Sequence, residues 1–249
     1  MKMRLFLLLT ITLLSSCRAA EEELPPLPGI PTPEDADLRV LYVGNSLTFF
    51  NDLPALVSEL GAMDGVGIYF ESIAKPNYSL EDHWREFEVQ AAIESKKFDI
   101  VIAQQGPSAL PESQVLLLNY ATLLANHCKD NDTQLAMYMV WPSKDRSFDH
   151  DNVIYSYTQA AEKTGSLLCP AGLAWKYAWK VDPGLPLYTY DFFHPGVMGS
   201  VLAAMTIYGA IEQKSDFDFV DRSKASWKNE VPEEALVILK EAATKALTE

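Results

Sequence analysis

The sequence is short of several things, and each shortage narrows what the chain can do. It carries 20 basic residues against 34 acidic ones, a formal net charge of -14. Phosphate binding needs clustered Lys and Arg, so nucleic acid and anionic membrane surfaces are poor partners for it. There are only three cysteines, and nothing around Cys128 or Cys169 has metal-ligand spacing. No metal is expected. There is no Gly-x-Gly-x-x-Gly or Walker-type loop, so no nucleotide cofactor is expected either. The apolar run Leu5–Leu14 is too short to span a bilayer, and a retained transmembrane helix is not expected. What the chain has in quantity is core: 48% hydrophobic residues over 249 positions, with 11 Tyr, 11 Phe and 5 Trp. That suffices for one sizeable domain.

The first residues read as an address. Met1-Lys2-Met3-Arg4 is a basic start, Leu5–Leu14 an apolar stretch, and Leu14-Ser15-Ser16-Cys17 resembles a bacterial lipobox. On that reading residues 1–17 are a signal peptide with its lipobox, Cys17 is lipidated, and the mature chain is a membrane-anchored lipoprotein of the cell envelope. The competing reading cleaves after Ala19 and gives a soluble periplasmic or secreted protein. Residues 18–37 hold Glu21, Glu22 and Glu23, then Pro25, Pro26, Pro28, Pro31 and Pro33, the composition of an extended spacer. In an exported chain Cys128 and Cys169 could pair, though two separate, partly buried thiols are the preferred expectation.

From residue 38 to 249 strand-like and helix-like segments alternate. Strands are expected at 39–43, 66–73, 99–103, 134–141 and 166–169. Helices are expected at 52–63, 79–96 with Ser79 as cap, 112–128, 152–164, 197–211 and 233–247. Such alternation implies βαβ units, hence one α/β domain with a parallel sheet covered on both faces.

Chemistry in such a sheet sits beyond the carboxyl ends of the strands. The first end reads Gly44-Asn45-Ser46-Leu47-Thr48, a turn that exposes a hydroxyl beside a helix N-terminus. Alone it is also ordinary turn and capping chemistry. Near the other end of the chain stands Asp191-Phe192-Phe193-His194, where a carboxylate can orient an imidazole three residues away. Together the two blocks resemble the SGNH (GDSL-like) serine hydrolases, in a divergent branch that has Gly-Asn-Ser for Gly-Asp-Ser. The resemblance runs from residue 38 to the end. It implies a flavodoxin-like three-layer α/β/α sandwich with a five-stranded parallel sheet, and ester hydrolysis through an acyl-enzyme. Ser46 would be the nucleophile, His194 the general base and then acid, and Asp191 the orienting carboxylate.

The family's middle blocks are altered here. Its Gly after the second strand corresponds most nearly to Asn77, which tolerates the same positive φ. Its oxyanion-donating Asn after the third strand is replaced within Gln104-Gln105, with Gln104 the first choice and Gln105 the second. The expected oxyanion hole is therefore Ser46, Asn77 and Gln104. Among the aromatics near these segments, Trp141 and Tyr190 are expected to bind substrate. His83, His127 and the Asp149-His150-Asp151 turn read as structural rather than catalytic or metal-binding. The implied substrate is a small-molecule or carbohydrate ester, plausibly an O-acetyl group. The altered oxyanion residues leave an alternative open, a lipid-anchored carbohydrate- or envelope-binding protein on an inactive scaffold.

Overall fold

The computed structural model describes residues 29–249; Cys17, the lipobox and most of the proline spacer lie outside the described residues. Five parallel strands form one sheet in the order β2-β1-β3-β4-β5. They are β1 (Leu38–Gly44), β2 (Ile68–Ala74), β3 (Ile100–Ala103), β4 (Gln134–Tyr138) and β5 (Leu167–Cys169). β1 pairs with β2 on one side and β3 on the other. Its Val40, Leu41, Tyr42 and Val43 are fully buried, which is why the run is apolar without alternation.

Among the described residues nine helices surround the sheet: α1 (Ser46–Phe49), α2 (Leu53–Asp64), α3 (Leu80–Glu86), α4 (Glu88–Glu94), α5 (Pro111–Asp130), α6 (His150–Thr164), α7 (Ala171–Val181), α8 (Val197–Ile211) and α9 (Glu233–Thr248). α2, α7, α8 and α9 pack on one another in one layer, and α3, α4, α5 and α6 make the other. α8 is apolar all round, with every residue from Gly199 to Ile211 buried. A helix of that pattern needs neighbours on every side, and α2, α7 and α9 supply them. The result is the expected α/β/α sandwich.

Three local expectations change. The helix expected over 79–96 is two, broken at Phe87 in the left-handed region (φ 61). Ser79 does cap the first, in a reciprocal box with Asp82. The fourth strand stops at Tyr138, and Met139–Trp141 continue as buried irregular chain, with the Met139 N–H bonded to Cys169 O. Helix α7 was not expected; its buried face carries Trp175 and Tyr177 among Ala171, Gly172, Ala174 and Ala178. Gly172 must be small there, since a Cβ would lie 2.3 Å from Val140 O. Cys128 and Cys169 are both free and buried, and burial pushes each thiol up to about 12.

Candidate active site

The sheet order reverses between β1 and β3, and both of those strand ends feed one site. β1 ends at Gly44, where a Cβ would meet Thr48 Oγ1 at 2.2 Å and Gln104 Oε1 at 2.6 Å. Asn45 then caps α1, its Oδ1 accepting from the Leu47 N–H and its Nδ2 donating to Tyr78 O. This fixes Ser46 as the first residue of α1, half-buried, with its hydroxyl toward the loop before α8.

That loop brings the other partners from 148 residues away. Ser46 Oγ lies 2.9 Å from His194 Nε2, and His194 Nδ1 lies 2.6 Å from Asp191 Oδ2. The second carboxylate oxygen accepts from Thr189 Oγ1 (2.7 Å), the Phe193 N–H (2.9 Å) and the His194 N–H (2.9 Å). Burial pushes the Asp191 carboxyl up, but the bonds from His194, Phe193 and Thr189 outweigh it and hold the group well below the usual carboxylate range. With its proton on Nδ1, facing that anion, His194 presents the Nε2 lone pair to the serine hydroxyl. Phe50 stacks on the imidazole face, centroids 4.5 Å apart at 18°.

The segment that ends in Phe50 is tied to the loop as well. Asn51 Nδ2 donates to Pro195 O (2.8 Å) and Ser200 Oγ (2.9 Å). Asn51 and Asp52 are consecutive residues with positive φ (54 and 52), a strained kink held by those bonds. The one local signal for this clamp is the Asn-Asp pair, whose side chains tolerate left-handed backbone.

Beside Ser46 is a pocket of about 300 Å³ lined by Asn77, Gln105, Ser108, Leu116 and Phe193 among others. Asn77 has φ 64, the backbone the sequence argument required of it. Neither its N–H nor that of Ser46 has an acceptor among the described residues. Gln104 is a different matter. It is fully buried, its Oε1 accepting from the Asn45 N–H (3.0 Å) and Thr48 Oγ1 (2.9 Å), and its Nε2 donating to Gln105 O (2.5 Å). Gln104 is fully buried and does not line the serine pocket, so the expectation for it is corrected: it is the floor under the nucleophile turn. Gln105 is the one that lines the pocket, its Nε2 making only a long bond to Ser113 O (3.3 Å).

Two further expectations are corrected. Trp141 is fully buried and stacked on Trp175 at 3.5 Å, its indole N–H donating to Phe193 O. It supports the loop that carries His194 and does not line the serine pocket. Tyr190 is 94% exposed and lies outside the serine pocket. The other three histidines each meet a backbone carbonyl. His83 Nε2 holds Gly44 O at 2.7 Å, His150 Nε2 holds Gly172 O at 2.7 Å, and His127 Nε2 lies 3.3 Å from Gln90 O. No cluster of His, Cys, Asp and Glu among the described residues could hold a metal.

Solved structures share this architecture over most of their length. A protein classed as an SGNH hydrolase, from Slackia heliotrinireducens, matches with a TM-score of 0.61 at 23% identity, over 70% of this chain and 98% of its own. The chain has the SGNH-hydrolase fold. A DUF4886 family protein from Bacteroides uniformis matches with a TM-score of 0.70 at 17% identity, over 84% of this chain and 94% of its own. An acetyl xylan esterase from Geobacillus stearothermophilus matches with a TM-score of 0.51 at 18% identity, over 75% of this chain and 98% of its own. No family model and no curated protein sequence matches this SGNH-fold chain.

Proposed function

We propose that the protein is an exported serine esterase that removes short acyl groups, plausibly O-acetyl groups, from carbohydrate through an acyl-enzyme. One observation carries the reading: Asp191, His194 and Ser46 form an unbroken hydrogen-bonded relay, 2.6 Å and 2.9 Å long, at the rim of a pocket. Ser46 Oγ attacks the ester carbonyl as its proton passes to His194 Nε2. Asp191 stabilises the imidazolium so formed. The Ser46 and Asn77 N–H groups are the free donors placed to receive the oxyanion. Collapse expels the alcohol, which takes the proton from His194. Water, deprotonated by His194, then attacks the acyl-serine, and the carboxylic acid leaves with Ser46 restored.

The acyl group is inferred from the pocket's small size, about 300 Å³, and from Ser79, Ser108, Ser113 and Gln105, which interrupt a lining otherwise made apolar by Pro107, Leu116 and Phe193. A long chain would desolvate those groups without pairing them. The carbohydrate alcohol and the envelope location, through a lipid on Cys17, rest on the sequence and on the likeness to an acetyl xylan esterase. The second reading, a binding protein on this scaffold, draws on the oxyanion site, which the buried Gln104 does not line.

Hydrolysis of p-nitrophenyl acetate by the purified domain, compared with Ser46→Ala, separates the two. The esterase reading expects turnover that the variant loses and fluorophosphonate labelling at Ser46. Equal rates with no labelling would leave only the binding protein. Cys17→Ala tests the anchor separately, by release of the protein from membranes.

A further inference from the structure

The loop from Thr189 to His194 has two faces, and the triad uses only one. Phe193 lines the serine pocket. On the other side Phe192 and Thr189 line a second cavity of about 450 Å³, larger than the first. Trp179 and Tyr188 wall it, their rings 5.3 Å apart and tilted by 38°. Lys144 and Ser147 stand at its edge.

Phe192 is the residue that asks for an explanation. Its φ is 58, a conformation that costs a bulky side chain on the order of 1 kcal/mol or more. The ring is nevertheless half exposed, so no core packing compensates. It is pinned instead: the Lys144 N–H donates to Phe192 O at 2.9 Å, and Lys144 Nζ lies 4.5 Å from the ring centroid. The Lys144 ammonium is engaged by that ring, with no ion pair to a carboxylate among the described residues. An aromatic ring held outward at backbone cost, sharing a cavity lining with two other rings and with an ammonium over its own face, is an arrangement for a ligand.

The chemistry of that ligand follows from the lining. Most of the lining is apolar, with Pro183, Leu185, Pro186 and Leu187 beside the rings; the aromatic faces accept the C–H faces of a saccharide ring, while Lys144, Ser147 and Thr189 offer hydrogen bonds to its hydroxyls. An alkyl chain would leave those polar groups unpaired. We propose that this cavity is a saccharide-binding site, distinct from the serine pocket and placed behind the catalytic loop. Its occupant contacts Phe192, next to Asp191, and Thr189, whose hydroxyl donates to Asp191 Oδ1. A sugar bound here therefore braces the loop that carries the acid–base pair.

Binding does not require the esterase reading, and the test keeps them apart. Xylohexaose and cellohexaose are titrated calorimetrically into the Ser46→Ala protein, which cannot turn over. The expected result is saturable binding of at least one of them, weakened about tenfold or more by Phe192→Ala and by Lys144→Met. Both positions are exposed, and thermal melts of the two variants report that each is folded. Absence of binding at millimolar saccharide would overturn the proposal. So would binding that both substitutions leave intact, or binding of decanoate in place of either saccharide. Failure of p-nitrophenyl acetate hydrolysis in the wild-type protein would remove the esterase reading and leave this one standing.

Discussion

Gln104→Leu separates a residue that holds the site from one that works in it. The Gln104 amide makes three buried hydrogen bonds, accepting from the Asn45 N–H and Thr48 Oγ1 and donating to Gln105 O. Leucine keeps most of the volume and removes all three. Each bond contributes about 1 kcal/mol net, and a buried donor left unpaired adds about 1–3 kcal/mol. Thr48 is fully buried, and its hydroxyl can turn to another acceptor more easily than the fixed Asn45 N–H can. The expected loss is roughly 3–5 kcal/mol, a large share of the 5–15 kcal/mol typical of a domain. Urea unfolding followed by circular dichroism measures it, with the thermal midpoint expected to fall by on the order of 10 °C. Activity should fall as well, because Asn45 and Ser46 are adjacent. The reasoning is refuted by a stability loss under about 1 kcal/mol together with a hundredfold or greater drop in kcat, the signature of a lost oxyanion donor.

Three other outcomes follow from the same structure. Asp191→Asn should lower kcat by about a thousandfold or more while KM on p-nitrophenyl acetate changes little, because the amide no longer fixes the His194 tautomer. Asn51→Gly relieves the positive φ but loses the bonds to Pro195 O and Ser200 Oγ; kcat should fall more than KM, with a stability cost of about 1–2 kcal/mol in denaturant titration. Burial lowers the pKa of both His83 and His150 from 6.5, despite their bonds to Gly44 O and Gly172 O. The unfolded chain then takes up protons that the folded chain refuses, so stability is full above about pH 6.5 and declines as pH falls below it. Urea midpoints between pH 7.5 and 5 should show this slope, and His83→Gln with His150→Gln should flatten it.

The strands were legible because buried parallel strands are continuous apolar runs, and Val40–Val43 and Ile100–Ala103 leave no other reading. The triad residue types were legible too, since chemistry demands a hydroxyl, an imidazole and a carboxylate at strand ends. The positive φ of Asn77 was legible as well, because few residues other than Gly enter the left-handed region easily. Direction was not legible. At the end of β3 successive side chains point opposite ways, so one residue decides whether an amide floors the nucleophile turn or faces the pocket. Gln104 does the first and Gln105 the second. Trp141 and Tyr190 reverse for a related reason: burial depends on what packs above a segment, and α7 lays Trp175 over Trp141 while nothing covers Tyr190. The Ser46–His194 contact itself belongs to the fold. Ser46 and His194 are 148 residues apart in the chain, and only the β1 turn and the loop before α8, clamped together by Phe50 and Asn51, bring the hydroxyl within 2.9 Å of the imidazole.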